Sequence, residues 1–286
     1  MRNLIPNAMI GAFLTALFLS PGPVLAQSGA KTSPVVPLFW RQQDIDNPPD
    51  TSTIKRLRFA TSADYPPFNY LDRNRQLAGL NVDLLRAICT ELKIECSIAV
   101  KPWNELIQTL KAGEVDAIMA GLAITPGNLR KVSFTRPYFR TPARFVVKKG
   151  ARLKGFAPGE LVNTHIGVIN NSAHEAYLKA MFQRSNFVAY RNAAEMRKAL
   201  QGGRIDAFFD DGVQSGFWIR GRLSANCCAF RGGAYTESFY FGAGMGIAVK
   251  RGNIKLARIL DYTLAKLAME GKYAKLVRKH IPFSLY

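Results

Sequence analysis

The sequence is poor in acidic residues: it has 20 Asp and Glu against 39 Lys and Arg, and its formal net charge is +19. It also has no zinc-site Cys/His spacing, no RNA-binding aromatic signature and no basic heptad helix, which argues against nucleic-acid binding. The basic residues are scattered along the chain from Lys55 to Lys279. We therefore predict a generally basic surface, or docking to acidic partners, and no nucleic-acid ligand.

Histidine is scarce as well, with three residues in the chain. Two of them, His165 and His280, lie in no pattern of neighbouring Cys, Asp or Glu. Metal sites and catalytic dyads need such clusters of ligands or partners. We predict no metal, no cofactor and no catalytic residue.

Long apolar runs are missing beyond the N-terminus, so no later segment approaches the ~20 residues that a membrane-spanning helix needs. Residues 1–26 have the layout of a secretory signal peptide: Arg2 is followed by a mostly apolar stretch, and Val24 and Ala26 precede a cleavage point before Gln27. An uncleaved membrane anchor is the alternative. We predict a periplasmic mature chain.

The composition of the 286 residues, 48% hydrophobic and 21% charged, is that of a globular protein with one or two domains. Residues 27–54 differ, since they are rich in Pro, Gln, Ser and Asp, and we expect a flexible leader there. Whether Phe39 and Trp40 pack onto the body is left open by the sequence.

Four cysteines fit an exported protein. Cys89 falls late in a predicted helix and Cys96 early in the next strand, and a short return between the two favours a disulfide. Two buried thiols are the alternative. Cys227 and Cys228 are adjacent and can pair only in a strained ring, so thiols and a bond are both open.

From Leu57 onward, strand and helix patterns alternate with short connections, which predicts an α/β fold with a parallel sheet covered by helices. An internal echo adds to this: "NELIQTLKAGEVDAI" at 104–118 resembles "AEMRKALQGGRIDAF" at 194–208, an offset of 90. A helix, a glycine stop and a strand recur in the same order. The echo predicts two α/β lobes facing a cleft at the ends of their strands, near Gly121 and Asp211.

Several motifs resemble the periplasmic solute-binding proteins of ATP-driven importers, polar amino-acid family 3, and most of all its histidine- and lysine/arginine/ornithine-binding members. The motifs are "ADYPPFNYLD", "LAGLNVDLLRAI", "WNELIQTLKAGEVDAI", "GRIDAFFDD", "GAGMGIAVKRGN" and "GKYAKLVRKHIPFSLY". The resemblance covers Leu57 to Tyr286. It implies a two-lobed periplasmic binding protein type 2 fold in which each lobe is a mixed sheet flanked by helices. The spacing of Cys89 and Cys96 is similar to that of the subgroup's disulfide.

The resemblance also implies the domain limits. Lobe 1 would be discontinuous, 55–143 with 245–286, lobe 2 would span 149–240, and two hinge strands near "ARFVVKK" and "GMGIAVK" would join them. Such a protein closes on a small-molecule ligand and presents it to an ABC transporter permease. We expect a monomer.

Site residues follow from the resemblance position by position. Tyr65 and Trp103 would sandwich the ligand side chain, and Trp103 would attract a cation through its ring. Asp211 would bind a ligand ammonium, with Asp210 pointing the other way because side chains alternate along a strand. Read without the family, the two aromatic residues could be ordinary packing and Asp211 a solvated acid.

The loop "INNSAHEAYL" at 169–178 enters a helix with Ser172 as a predicted N-cap and Glu175 completing a capping box. In the family, this turn grips a ligand carboxylate, and Ser172 and His174 occupy ligand-contacting positions. A plain helix cap and a surface histidine are the alternatives.

The chain departs from the family at the turn "TPGN". Gly121 and Ala123 stand where most members have Ser or Thr, and Asn128 stands where an Arg forks onto the ligand α-carboxylate. Arg130 could reach back only if the turn were rebuilt. A ligand carboxylate buried there would lack a counter-charge.

We therefore expect a non-enzymatic binding protein for a small polar or cationic solute, an amino acid or an amine. One alternative is a sensor or interaction protein that has lost amino-acid binding. The other is an enzyme similar to cyclohexadienyl dehydratase, for which His174 or Glu175 could be nominated as general acid.

Overall fold

The computed structural model describes residues 34–52 and 54–286. The signal peptide predicted for 1–26 and the first part of the leader lie outside these residues. No helix in the described ranges is long and apolar enough to cross a membrane. In chain order the strands are β1 (Arg56–Thr61), β2 (Asp64–Tyr65), β3 (Asn69–Leu71), β4 (Leu77–Ala78), β5 (Glu95–Val100), β6 (Ala117–Ile118), β7 (Ser133–Phe134), β8 (Ala143–Lys148), β9 (His165–Ile169), β10 (Asn186–Tyr190), β11 (Ala207–Asp211), β12 (Cys228–Tyr235) and β13 (Ala248–Val249).

The helices lie between these strands and after the last of them. They are α1 (Leu80–Leu92), α2 (Leu106–Ala112), α3 (Pro126–Leu129), α4 (Ala173–Met181), α5 (Ala193–Gln201), α6 (Gly212–Arg220), α7 (Ser238–Phe241), α8 (Ile254–Met269) and α9 (Lys272–His280). Short 3-10 turns occur at Gln42–Asp44, Trp103–Glu105 and Arg222–Ser224.

Two five-stranded sheets form two lobes with the same internal order. The first sheet runs β5-β1-β6-β13-β7 and the second runs β10-β9-β11-β8-β12. In each sheet the first three strands are parallel, and the fourth is antiparallel to the third. A small sheet, β2-β3-β4, sits beside the first lobe. The mixed α/β, two-lobed fold predicted from the sequence is therefore confirmed.

The two copies of the echo have equivalent places in the two sheets. In the first lobe, α2 is followed by Gly113, which has a φ of 76°, and then by β6. In the second lobe, α5 is followed by Gly203, which has a φ of 73°, and then by β11. A positive φ at both positions suits glycine, which has no Cβ to clash. The echo thus marks the same helix-to-strand return in each lobe.

Each echo also carries an aspartate that fixes the central strand to its neighbour. Asp116 accepts hydrogen bonds from the backbone and the side chain of Arg58 in β1. Asp206 accepts one from the backbone N–H of His165 at the start of β9. Because these carboxylates satisfy N–H groups at the strand starts, they help to set the register of both sheets.

The chain crosses between the lobes just before β8 and again just before β13. Strand β8 contains "ARFVVK" and belongs to the second sheet, whereas β13 belongs to the first. Both crossings meet at Met245, which forms isolated bridges with Ala123 and Phe139. The predicted hinge motifs are therefore adjacent to the crossings, and sheet membership places 143–148 with the second lobe.

The described part of the leader packs on the first lobe. Trp40 is 3% exposed and lies edge-on to Tyr273 of α9 at 5.4 Å between ring centroids. A further contact is ionic, since Arg136 Nη1 lies 2.6 Å from Asp44 Oδ2. The polar composition of residues 27–54 predicted a flexible segment. Phe39, Trp40 and Asp44 nevertheless hold its described part on the first lobe, and an average composition does not reveal three such residues.

Both disulfide questions have an answer in the structure. Cys89 and Cys96 are bonded across the return from α1 to β5, with their Cα atoms 6.1 Å apart, and this prediction is confirmed. Cys227 and Cys228 are also bonded to each other. The sequence left that second pair open.

Asp261 of α8 gives a prediction about pH and stability. Burial raises the pKa of this carboxyl from 3.8 to about 6, although it accepts a hydrogen bond from the backbone N–H of Arg136. Between about pH 4 and pH 6 the folded protein therefore binds the Asp261 proton more tightly than the unfolded chain does. The contribution of Asp261 to the free energy of unfolding falls as the pH rises through that window. We expect Asp261→Asn to raise the free energy of unfolding relative to wild type by about 1–2 kcal/mol more at pH 7 than at pH 4.5.

Urea denaturation at the two pH values measures this difference. Asp46→Asn, at an exposed acid of the leader, is the control and should show no such change. An Asp261→Asn effect of equal size at both pH values would contradict the prediction.

Candidate functional site

A cavity of about 380 Å³ opens at the ends of the first-lobe strands. It brings together five residues predicted from the sequence, Tyr65, Trp103, Gly121, Ala123 and Asn128, and adds two that were not predicted. The full lining is Asp64, Tyr65, Trp103, Gly121, Leu122, Ala123 and Asn128.

A second cavity of about 170 Å³ shares Tyr65, Gly121 and Ala123 with the first. It is also lined by Thr141 from the first crossing and by Thr236 and Phe241 from the far side. Two cavities with common walls, one of them reaching the second lobe, make a continuous cleft between the lobes. This is where strand ends in open α/β sheets place ligands.

Tyr65 forms the floor of the cleft. It lies in β2 and stacks on the buried Phe68, with 4.9 Å between ring centroids and an interplanar angle of 29°. Gly121 has a φ of 78°, and a Cβ there would come within 2.8 Å of the Tyr65 ring. Gly121, in place of the family's Ser or Thr, therefore leaves the space that the ring occupies.

Trp103 forms the outer wall of the first cavity. It begins the 3-10 turn after Pro102, and it is 48% exposed, so it is not a core residue of the helix that follows. Asp64 lines the same cavity beside it. Asp64 was not predicted from the sequence. Its position directly before Tyr65 in "ADYPPF" could have indicated that it lies at the same site.

Asp211 is held rigidly at the end of β11. It is the N-cap of α6, and its Oδ1 accepts a hydrogen bond of 2.8 Å from the backbone N–H of Gln214. Burial raises the pKa of the Asp211 carboxyl, and the neighbouring Asp210 charge raises it further. The charge of Asp211 also raises the pKa of Tyr65, after the larger effect of burial. Gln214 Nε2 of α6 donates to the carbonyl of Pro66 at 3.0 Å, which joins the start of α6 to the residue after Tyr65.

The adjacent Asp210 points to the other side of the sheet, as alternation requires. It is buried, and its charged neighbour is Arg197, whose guanidinium lies over the Trp218 ring at 5.6 Å. Burial raises the pKa of Asp210 and the Arg197 charge lowers it. Asp210 is thus buried inside the second lobe and does not line the cleft.

His174 is the second residue of α4 and lines neither cavity. Burial lowers the pKa of its imidazole, and the Asp211 charge opposes that shift. The ring packs against Phe209 and Phe241 at 5.8 and 5.3 Å between centroids. Burial therefore favours the neutral form of the His174 imidazole, which packs among aromatic rings.

Ser172 caps α4, as predicted: its Oγ accepts a hydrogen bond of 3.1 Å from the backbone N–H of Glu175. The Glu175 carboxylate accepts from the backbone N–H of Asn171 instead of from the N-cap residue itself. The reciprocal bond is therefore shifted by one residue. Ser172 lines neither cavity, and its contact with a ligand stays a prediction.

The carboxylate-binding wall is occupied by a neutral side chain. Asn128 Nδ2 donates to the carbonyl of Ala123 at 2.9 Å, and its backbone N–H donates to Thr125 Oγ1 at 3.2 Å. The side-chain amide of Asn128 is therefore already hydrogen-bonded within the turn that contains it. Arg140 lines the second cavity, but its guanidinium is directed to the leader, with Cζ 5.6 Å from the Phe39 ring centroid.

Asp64 and the faces of Tyr65 and Trp103 line the first cavity and suit an ammonium or guanidinium group. Asp211 lines neither cavity and would add a second carboxylate from the end of β11. Among residues 34–52 and 54–286, no group of three or more His, Cys, Asp and Glu is arranged to hold a metal ion.

Comparison with known proteins identifies a matching family model. Residues 57–283 match the model for bacterial extracellular solute-binding proteins, family 3. The putative ABC transporter arginine-binding protein 2 of Escherichia coli K12 is 35% identical over 228 residues, which covers 80% of this chain and 91% of that protein. The L-arginine-binding protein of Pseudomonas aeruginosa is 34% identical over 240 residues, 83% of this chain and 92% of that protein.

Solved structures of binding proteins are also similar to this chain. A Salmonella typhimurium periplasmic binding protein described as having high arginine specificity is 29% identical, with a TM-score of 0.54 over 80% of this chain and 100% of that chain. An ancestral cationic amino-acid solute-binding protein is 26% identical, with a TM-score of 0.63 over 79% and 96%. The similarity extends over both lobes and leaves the leader outside it.

Proposed function

The chain belongs to family 3 of the bacterial extracellular solute-binding proteins, and from this we propose that it captures a small cationic or polar solute, an amino acid or an amine. The solute would be held between the two lobes and delivered to the permease of an ABC importer. The proposal includes a monomer in the periplasm, a signal peptide at 1–26, and lobe limits at 55–143 with 245–286 and at 149–240. Relatives named for arginine support a cationic ligand.

The observation that carries the proposal is the position of Asp211. Its carboxylate is fixed by the start of α6, which is joined to the residue after Tyr65, and is partly withdrawn from water. A carboxylate in that setting pays a desolvation cost in the empty cleft, and a ligand cation with matching hydrogen bonds offsets that cost. Trp103 and Asp64 would also favour a ligand cation at the mouth of the cleft.

The wall of the cleft that contains Asn128 limits how the rest of the ligand can be bound. Asn128 supplies no charge, and its amide is used within the turn. A ligand α-carboxylate at that wall would be buried without a counter-charge, which is costly. We therefore propose either an amine without an α-carboxylate or an amino acid whose carboxylate is bound elsewhere in the cleft.

A thermal-shift panel of matched pairs tests this choice. L-arginine is compared with agmatine and L-lysine with cadaverine, because each pair differs only in the carboxylate. A ligand present at a hundredfold excess over its Kd stabilises the folded state by about 2.7 kcal/mol, which gives a readable rise in Tm. We expect each amine to stabilise at least as well as its amino acid, and Asp211→Ala to remove the effect.

Asn128→Ala is the control and should leave the shifts in place. Strong stabilisation by the L-amino acids alone, with none from the matching amines, would overturn the amine preference. No stabilisation by any member of the panel would count against the binding function itself.

The enzymatic alternative gains no support from the site. Glu175, a candidate general acid, is ion-paired with Lys179 at 2.8 Å, and the Lys179 hydrogen bond holds the pKa of that carboxyl below its usual range. A group that stays ionised cannot donate a proton efficiently near neutral pH. The sensor alternative shares the same ligand test and differs only in the downstream partner.

A further inference from the structure

The last residues of the chain make a third connection between the lobes. Residues 281–286, called here the strap, follow α9 of the first lobe. Ile281, Phe283 and Leu285 all belong to the first-lobe core cluster, and that cluster also includes Val213 of α6 in the second lobe. The strap therefore runs from one lobe to the other outside the two chain crossings.

Phe283 is the main apolar contact of the strap with the second lobe. Its ring occupies the space above Gly216, where a Cβ would come within 2.1 Å of the ring. It also lies edge-on to Phe217, at 5.1 Å between centroids, and Arg220 Cζ sits 5.4 Å from its centroid. One face of α6 is thus shaped to receive this residue.

Arg144 is the main polar contact. It is buried in β8 and has no carboxylate partner among the described residues; its Nη1 donates to the carbonyl of Leu285 and its Nη2 to the carbonyl of Gly232 at 3.2 Å. Tyr286 adds a bond from its hydroxyl to the carbonyl of Arg140 at the first crossing, at 3.0 Å. A buried arginine bound only to carbonyls ties the strap to the second sheet.

The strap contacts the second lobe on the face of its sheet that carries α5 and α6. Along β8, Phe145 and Val147 pack with α4 and with Phe241, which lines the cleft. Alternation turns Arg144 and Val146 to the opposite face, where α5 and α6 pack. The strap contacts are therefore made on the opposite face of the second sheet from the cleft-lining Phe241.

We propose that the strap holds the lobes apart in the ligand-free protein and so sets ligand affinity from outside the cleft. Closing two lobes about their crossings brings the cleft walls together and separates the surfaces behind them. The contacts of Phe283 and Leu285 with the second lobe oppose that separation. Because enclosure of the ligand needs the closed arrangement, the apparent Kd rises as the closed fraction falls. This inference rests on the proposed function, in which a solute is bound between the lobes.

Small-angle X-ray scattering and isothermal titration calorimetry test the strap in the full chain. We expect Phe283→Ala to reduce the radius of gyration of the ligand-free protein and to tighten binding of L-arginine or agmatine by about fivefold to tenfold. Arg144→Met, which keeps the stem of the side chain and removes both carbonyl bonds, should change both quantities in the same direction.

Val277→Ala is the matched control, because it removes a buried apolar group of α9, a helix that packs on α1 and α8 of the first lobe. It should lower stability without compacting the protein. An unchanged or larger radius of gyration in both strap variants would overturn the proposal, whatever the ligand result. Compaction without binding of any panel ligand would support the strap and count against the proposed function instead.

Discussion

Replacing Asp211 by asparagine is expected to weaken binding of a cationic ligand by about a hundredfold or more. The substitution keeps the size of the side chain and an oxygen for the bond from Gln214 N–H, but it removes the charge. Truncating one partner of a buried, hydrogen-bonded ion pair costs about 2–5 kcal/mol, and each 1.4 kcal/mol is a factor of ten in Kd. Isothermal titration calorimetry with the strongest panel ligand measures the loss.

Asp210→Asn is the matched control for this variant. It makes the same chemical change one residue earlier, on the face of β11 that looks toward Arg197 and away from the cleft. We expect its Kd to stay within about threefold of wild type, as is usual for charges outside a contact. Equal losses in the two variants, or an unaffected Asp211→Asn, would show that the ligand does not pair with Asp211.

Acidification is expected to act in the same direction as the substitution. Because burial raises the pKa of Asp211, the carboxyl takes up a proton at a higher pH than an ordinary aspartate does. Affinity for a cation is greatest above that pKa and falls as pH drops through it. The Asp211→Asn variant should lack this part of the pH profile.

Replacing Trp40 by alanine is expected to lower the free energy of unfolding by about 3–5 kcal/mol, which is typical of truncating a large buried aromatic residue. Trp40 is part of the first-lobe core and contacts Tyr273, whose hydroxyl donates to the carbonyl of Tyr138 at 2.6 Å. A cavity at Trp40 would therefore weaken a polar contact next to it as well. Urea denaturation measures the change.

Leu38→Ala is the control, since this nearby leader residue is 57% exposed and should change stability by less than about 0.5 kcal/mol. Trp40→Phe refines the experiment. Trp40 Nε1 is buried without a hydrogen-bond partner, so phenylalanine removes an unsatisfied donor while keeping most of the packing. A Trp40→Ala variant within 1 kcal/mol of wild type would show that the leader contributes little to the folded state.

The sequence predicts the two-lobed architecture because its signals are local and repeated. The echo at 104–118 and 194–208 carries helical spacing, a glycine with positive φ and an aspartate at the strand start, and all three recur in the structure. The disulfide between Cys89 and Cys96 was equally accessible, since it closes one helix-to-strand return. Such features depend on residues that are close in the chain.

Most of the features that the sequence left open or missed depend on distant partners. Trp40 is buried by α9, and Phe283 is received by a glycine in α6, pairs more than 60 residues apart. The bond between Cys227 and Cys228 depends on the turn that precedes β12. The cleft was predicted residue by residue through resemblance, but Asp64 was missed because the family motif drew attention to Tyr65 alone.

The distribution of tryptophan makes the protein its own optical reporter. The chain has three tryptophans: Trp40 and Trp218 are 3% and 7% exposed, whereas Trp103 is 48% exposed at the mouth of the cleft. A water-exposed indole emits at longer wavelength than a buried one. Enclosure of a ligand against Trp103 would therefore shift its fluorescence to the blue over a constant background from the other two, so occupancy is readable without a label.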